Sequence, residues 1–305
     1  MKFFAKVSSQ DSVVIIAILG LFAVCVYPFS VLVFKILFPD GEFSIQVLLE
    51  VLENQSTLKA FKNTIIVSSC IAALSVIISL PLSWLLARTD LPMSGQLRSW
   101  FCLPYAIPPY VGAIAWIYLA NPSTGLLNHI SPFLHFNIYS VAGLIWVETT
   151  FLYTFCLLTT LTSLDRMNPS LEEAARLSGA NPFRVFIDIT LPLIRPSILS
   201  GLLLVALAAA ASFGVPALIG NPAGIYLVTT QIYTLTKMGT ITGIYKAGAL
   251  AIILLAAALA TLILNQRMTR NTFQTVSGKT SRPSVIELST WRWPIFVTLL
   301  LAWGI

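Results

Sequence analysis

The stretch TIIVSSCIAALSVIISLPLSWLLA, residues 64–87, decides the fold class of this chain. It carries no charged residue and exceeds the ~20 apolar residues that a helix needs to cross a ~30 Å hydrocarbon core. The whole sequence of 305 residues is 57% hydrophobic and only 10% charged, whereas soluble domains carry about 25% charged residues. The quoted stretch therefore predicts a membrane-spanning helix in an integral membrane protein.

Further apolar runs of similar length lie on both sides of this stretch, and together they predict an all-α membrane protein with six spans. The predicted spans are 13–37, 64–87, 100–120, 139–164, 197–217 and 243–264. A seventh apolar run begins at Trp293 and continues to Ile305.

The basic residues orient these spans, because Lys and Arg are retained on the cytoplasmic side of a membrane. With the N-terminus in the cytoplasm, 13 of the 18 basic residues lie inside and five lie at the outer side. The inner set is Lys2, Lys6, Arg88, Arg98, Arg166, Arg176, Arg184, Arg195, Arg267, Arg270, Lys279, Arg282 and Arg292. The outer set is Lys35, Lys59, Lys62, Lys237 and Lys246. Topology thus explains the net charge of +6, and no nucleic-acid partner is required.

The predicted cytoplasmic loop at residues 165–195 has local signals for two short helices. Ser170 and Glu173 have the spacing of a capping box at the start of the first helix. Gly179 would end that helix in a left-handed conformation, and Asn181 would cap the second helix. These local signals by themselves predict a pair of amphipathic helices at the membrane surface.

The residue pattern of this loop resembles the cytoplasmic loop of the permeases of binding-protein-dependent ABC importers. The family pattern is E-A-A, three residues, G, nine residues, I-x-L-P, and the sequence meets it without departure. The matching residues are Glu173, Ala174, Ala175, Gly179, Ile189, Leu191 and Pro192. The resemblance implies that they form a coupling helix that docks on a separate ATPase subunit.

Other stretches resemble the ferric-iron group of these permeases. They are RTDLP at 88–92, LPYAIPPYVGAIAW at 103–116, GLLN at 125–128, SFGVPALIG at 212–220 and TTQIY at 229–233. Permeases of this group usually join two homologous halves in one chain, and this sequence resembles one half.

The resemblance therefore implies a domain organisation. Residues 1–265 would form a permease domain of the six-span type I importer fold, with its coupling loop at 165–195. Residues 266–292 would form a cytoplasmic linker. Residues 293–305 would begin the first span of a second half that is cut short.

The function implied by the resemblance is import across the inner membrane, driven by ATP. Ferric iron is the expected cargo, with thiamine, polyamine or phosphonate as alternatives. The implied partners are a dimer of ABC ATPase subunits inside, a substrate-binding protein outside, a second permease half (fused or dimeric) and the lipid bilayer. The chain would be no enzyme and would bind no cofactor itself, since ATP and Mg²⁺ would be bound by the ATPase. The stretch SGKT at 277–280 is no phosphate-binding loop, because Phe273 stands where that motif needs Gly.

A secondary transporter driven by protons or sodium is the alternative class, and it would place several ionisable residues in its spans. Glu148 is the one charged residue deep inside a predicted span. Either it faces a cavity or a partner, or it is protonated and hydrogen-bonded to the backbone of a neighbouring helix. His129 and His135 lie in a predicted outer loop, and two histidines suit ferric iron poorly because that ion favours oxygen donors. No metal ligand is predicted.

Prolines remove backbone hydrogen-bond donors from two segments. One segment lies in the third predicted span and the other at the outer end of the fifth. Irregular backbone survives in a bilayer only where protein or water satisfies it, so each segment either lines a translocation path or is a packed kink. The candidate path residues are Glu148, Pro104, Pro108, Pro109, Phe213, Gly214 and Pro216.

Overall fold

The computed structural model describes residues 9–38, 42–130, 135–269 and 285–303, and within these ranges the chain is almost entirely helical. The α-helices in chain order are α1 (Ser9–Leu21), α2 (Tyr27–Leu37), α3 (Gln46–Glu53), α4 (Gln55–Arg88), α5 (Ser94–Cys102), α6 (Pro109–Ala120), α7 (Leu126–Ile130), α8 (Val141–Arg166), α9 (Ser170–Leu177), α10 (Pro182–Val185), α11 (Leu191–Ala211), α12 (Val228–Lys237), α13 (Ile241–Thr269) and α14 (Arg292–Trp303).

Five helical stretches among the described residues are long and apolar enough to cross a membrane. They are Val13–Leu37, Gln55–Arg88, Val141–Arg166, Pro182–Ala211 and Ile241–Arg267. The number rises to six, as predicted, when the bent pair Ser94–Ala106 and Pro109–Ala120 is taken as one broken span.

The third predicted span, residues 100–120, is not one straight helix. α5, with the turn that follows it, meets α6 at an angle of 93°. Pro108 has no N–H to donate to the Pro104 carbonyl, and the N–H of Ile107 bonds that carbonyl instead at 3.2 Å. The helix break suggested by the prolines is present as a sharp bend.

The fifth span is displaced from its predicted bounds of 197–217 to Pro182–Ala211. α11 stops short of Ser212 because Pro216 cannot donate to the Ser212 carbonyl, as another helical turn would require. The hydroxyl of Thr229 donates to that carbonyl at 2.7 Å. A side chain that is distant in sequence therefore supplies the hydrogen bond that the proline removes.

The chain divides into two compact units: Met1–Leu58 with Gln231–Leu255, and Lys59–Thr230 with Ala256–Ile305. In the first unit α2 contacts α13 closely, since a Cβ on Gly248 would lie 2.6 Å from Cδ1 of Ile36. An ion pair between Lys246 and Glu50, at 3.3 Å, joins α13 to α3 in the same unit.

The second unit is built around α8. One hydrophobic cluster surrounds its first half, at Leu144 and Phe151, and another surrounds its second half, at Leu164. α11 lies so close that a Cβ on Gly201 would be 2.9 Å from Cα of Cys156. Close approach through a small residue is typical of helix packing in membranes.

The end of the described chain contacts the last residue of α4. The N–H of Ile286 donates to the carbonyl of Arg88 at 2.8 Å, and Phe296 of α14 is buried in the second cluster. Residues 270–284 of the predicted linker, and with them the SGKT stretch, lie outside the described residues.

Candidate functional site

The first helix of the α9–α10 loop begins differently from the prediction. Ser170 and Glu173 form no capping box, because Ser170 is already the first helical residue and Pro169 occupies the N-cap position. The side-chain oxygen of Asn168 accepts the N–H of Ser170 at 3.1 Å. The capping-box prediction is therefore wrong, since an Asn two residues upstream satisfies the exposed donor.

The turn after α9 is the one expected from the sequence. Gly179 has φ = 87°, the left-handed region that favours glycine. The N–H of Gly179 bonds the Arg176 carbonyl at 2.9 Å, and the N–H of Ala180 bonds the Ala175 carbonyl at 3.1 Å. These two bonds are those of a Schellman motif, which closes the helix and reverses the chain.

Apolar side chains on both sides of this turn are exposed. Leu177 is 90% exposed at the end of α9, and Phe183 is 71% exposed at the start of α10. The predicted cap of α10 is confirmed, since the Asn181 side chain accepts the N–H of Arg184 at 2.8 Å. A folded turn that presents large apolar side chains just before the fifth candidate span and at its first residues is typical of an interaction surface.

The residues that match the permease pattern divide between the surface and the interior of this loop. Glu173, Ala174, Gly179 and Pro192 are exposed, whereas Ala175, Ile189 and Leu191 are half-buried. The half-buried members hold the loop against the protein, and the exposed members are free to meet another surface.

A buried ion pair that sequence reasoning missed anchors α9. Arg88 and Glu172 are each 1% exposed, and Nε of Arg88 donates to Oε2 of Glu172 at 2.8 Å. The Thr190 hydroxyl donates to Oε1 of Glu172 at 2.6 Å, and Nη2 of Arg88 donates to the Leu164 carbonyl at 2.8 Å. Sequence signals existed in the Arg that ends an apolar span and in the paired glutamates. The pairing of Arg88 with Glu172, 84 positions apart, does not follow from any local spacing.

A second, more exposed ion pair lies near the same helix ends. Nη1 and Nη2 of Arg98 donate to the two carboxylate oxygens of Asp165 at 2.8 and 3.1 Å. The side chains are 32% and 42% exposed. This pair joins α5 to the end of α8.

Glu148 lies on α8 and is buried. The hydroxyl of Ser212 donates to its Oε1, and Oε2 has no hydrogen-bond partner among the residues that the structure describes. The partner is thus a side chain, whereas the sequence reading weighed a backbone group. Since Ser212 immediately follows α11, Glu148 links α8 to the point where that helix ends.

The two proline-containing segments contact each other. A Cβ on Gly214 would lie 2.9 Å from Cβ of Tyr110, the residue that follows Pro109. Before the bend, the ring of Tyr105 meets the ring of Phe155 on α8 edge-on, with centroids 4.8 Å apart. Of the remaining candidates, Phe213 is partly exposed and Pro216 is buried. The structure therefore groups the candidate path residues around α8.

Within the described ranges, no cluster of three or more His, Cys, Asp or Glu side chains could hold a metal ion.

These features define a class of protein: a helical membrane protein with five or six candidate spans, a broken third span and a folded two-helix loop that leads into the fifth span. The chain belongs to the family described as binding-protein-dependent transport system inner membrane component, whose sequence pattern matches residues 79–270. That stretch includes the broken span, the α9–α10 loop and α11.

Several known proteins are similar to this chain in sequence. It is 33% identical to the sn-glycerol-3-phosphate transport system permease protein UgpA of Yersinia enterocolitica, over 46% of this chain and 49% of that protein. It is 25% identical to the putative ferric transport system permease protein FbpB 1 of Haemophilus influenzae, over 93% of this chain and 46% of that protein. It is 30% identical to the molybdenum transport system permease protein ModB of Escherichia coli, over 68% of this chain and 92% of that protein. The chain thus spans about half the length of the first two relatives.

Two crystal structures share the fold. The bacterial alginate ABC transporter in complex with an alginate pentasaccharide-bound periplasmic protein contains a chain that matches with a TM-score of 0.70 and 19% identity. The match covers 87% of this chain and 95% of that chain. A second structure of a bacterial ABC transporter involved in the import of alginate gives a TM-score of 0.68 at 20% identity. The predicted fold class is therefore confirmed.

Proposed function

We propose that this chain is the permease subunit of an ATP-driven ABC importer and carries a substrate from a binding protein outside the cell to the cytoplasm. The observation that carries the proposal is the α9–α10 loop. It combines the E-A-A…G…I-x-L-P residues with a closed Gly179 turn and with exposed Leu177 and Phe183. Membership of the binding-protein-dependent transport family supports this function.

The proposed partner of this loop is a dimer of ATPase subunits, which bind ATP and Mg²⁺. Exposed apolar side chains gain free energy when a partner removes them from water, at about 25 cal/mol per Å² of apolar surface. The small side chain of Ala174 allows close approach of that partner. The N-terminus and the α9–α10 loop then lie in the cytoplasm, in agreement with the distribution of basic residues.

ATP binding closes the two ATPase subunits, and the docked loops carry this movement into the spans. A second permease half, either fused or dimeric, forms the other side of the translocation path. The broken third span and the exposed Phe213 line this path on the side that this chain forms, and the buried Glu148 supports that lining through its bond with Ser212. Irregular backbone near a water-filled path satisfies its polar groups with water, which lipid cannot provide.

Ferric iron is the first cargo that we propose. The relative that aligns with 93% of this chain bears the name of a putative ferric transport permease, which supports this choice. A second cargo, sn-glycerol 3-phosphate, is favoured by the higher identity to the UgpA proteins over a shorter stretch. The two cargoes are distinguished by an uptake assay in which each is supplied separately.

The test is uptake into proteoliposomes that contain the full-length permease with its ATPase subunits and its binding protein. We expect ferric iron to accumulate only with hydrolysable ATP, and a protonophore or sodium ionophore to leave the rate unchanged. Uptake of sn-glycerol 3-phosphate but not iron would transfer the proposal to the second cargo. Uptake that continues without ATP and collapses with an ionophore would establish a secondary transporter instead.

A further inference from the structure

The ends of several helices meet at one buried group, which we name the Arg88–Glu172 joint and define as Arg88, Glu172 and Thr190. Arg88 is the last residue of α4, Glu172 lies in the first turn of α9, and Thr190 directly precedes α11. Through the Leu164 carbonyl, Arg88 also holds the last turn of α8. Four helices are thus fixed to one another by side chains that water does not reach.

Every polar atom that forms the core of the joint has a partner. Both carboxylate oxygens of Glu172 accept a hydrogen bond, one from Arg88 and one from Thr190. Such a pair adds little net stability compared with well-packed apolar side chains, because both charges must be desolvated. Its directional hydrogen bonds do hold the joined helix ends in one relative arrangement, and a connection that transmits movement requires such a fixed arrangement.

The covalent connections of α9 to α8 and to α10 are short segments that are not helical. Between α8 and α9 the chain passes through Met167 in an extended conformation with ψ = 136°, and between α9 and α10 it passes through Gly179 with φ = 87°. A helix attached only by these two segments pivots when it is pushed. The joint prevents that pivoting, since Glu172 lies on α9 itself.

We propose that Arg88, Glu172 and Thr190 are positioning residues that convert a displacement of α9 into a movement of α4, α8 and α11. This inference rests on the proposed function, in which the ATPase displaces α9. The exposed residues of the loop receive the force, and the joint passes it to the spans. Loss of the joint leaves the ATPase docked while the spans no longer respond to nucleotide.

The experiment uses the full-length permease in complex with its ATPase subunits, in a background with the four native cysteines replaced by alanine. A reporter cysteine, Ile114→Cys, stands on the partly exposed side of α6. Its rate of reaction with a maleimide is measured without nucleotide and after trapping with ATP and vanadate. The variants are Glu172→Gln, Arg88→Met, Thr190→Val and the double variant Arg88→Met/Glu172→Met.

The control is Arg98→Gln, which breaks the half-exposed pair with Asp165 near the same helix ends. Exposed ion pairs contribute little, so this variant should keep the wild-type ratio of the two labelling rates. The joint variants should lose the nucleotide-dependent difference while the ATPase still co-purifies. A single variant that leaves one buried charge unpaired should also lower the protein level. The double variant removes both buried charges together and should restore the protein level, but not the nucleotide-dependent difference in labelling.

The outcomes separate the joint from the proposed function. If the joint variants keep the wild-type ratio of the two labelling rates, the role proposed for the joint is wrong, while the proposed function of the chain is unaffected. A double variant that restores both the level and the response also overturns the role of the joint, because packing would then be sufficient. A wild-type complex in which trapping leaves labelling unchanged overturns the proposed function and the joint with it.

Discussion

At the scale of single residues, adjacent glutamates of α9 have different surroundings. Glu172 is buried against Arg88, whereas Glu173, the member of the permease pattern, is exposed. Residues of the same type thus divide between an internal connection and an outer surface. Gly179 and Glu148 are two further positions where a single residue decides local structure, and each gives a prediction.

Replacement of Gly179 tests the turn after α9. A Cβ at this position would meet no atom within 4 Å, so only the positive φ opposes a side chain. We expect Gly179→Val to cost roughly 1–2 kcal/mol locally, because L-residues avoid this conformation, and to reduce co-purification of the ATPase. Gly179→Asn is the matched control, since Asn tolerates the left-handed region. Equal co-purification of both variants would contradict the role given to the turn.

Replacement of Glu148 tests its bond with Ser212. Glu148→Gln keeps an oxygen that accepts from the Ser212 hydroxyl, so the melting temperature in detergent should change little. Glu148→Leu removes the acceptor and leaves that hydroxyl unpaired, which costs about 1–3 kcal/mol where water is excluded. The expected order of melting temperatures is wild type, Gln, then Leu. A Leu variant as stable as wild type would show that the bond has no structural weight.

At the scale of helices, contact between α8 and α11 depends on Gly201. A Cβ there would lie 2.5 Å from Oγ1 of Thr159 and 2.9 Å from a backbone carbon, so the helices must separate to admit a larger residue. We expect Gly201→Leu to destabilise the protein by about 1–3 kcal/mol or more through overpacking. Thermal unfolding in detergent measures this loss of stability. Gly95→Ala is the control, because a Cβ at Gly95 meets nothing within 4 Å.

The helices also show how far the sequence predicts this structure. The positions of the apolar runs and the break at Pro108 follow from local rules, and the structure agrees with them. The anchoring of α9 and the hydrogen bond to the Ser212 carbonyl do not follow, because Arg88 and Thr229 act from distant parts of the chain. The same limit applies to the candidate site: its turn and its cap at Asn181 were predictable, and its buried ion pair was not.

At the scale of the whole molecule, the proposed topology places the α9–α10 loop in the cytoplasm. Single cysteines at Glu53, His129 and Asn181 test it, since all three residues are exposed and reactivity then reports the side of the membrane. An impermeant maleimide added to intact cells should label the cysteines at positions 53 and 129. The cysteine at 181 should react only after the cells are opened. Labelling at 181 in intact cells would overturn the topology.

The central claim is that the α9–α10 loop docks an ATPase subunit, and site-specific photo-cross-linking tests it most directly. A photoreactive amino acid in place of Leu177 or Phe183 should capture the ATPase subunit in membranes of the producing cell, identified by mass spectrometry of the cross-linked peptide. Ile130 is the control, because it is 70% exposed and lies on the proposed outer side. Capture from both loop positions and not from 130 is the result that the account predicts. Complexes that hydrolyse ATP yet give no ATPase cross-link from either loop position would contradict it.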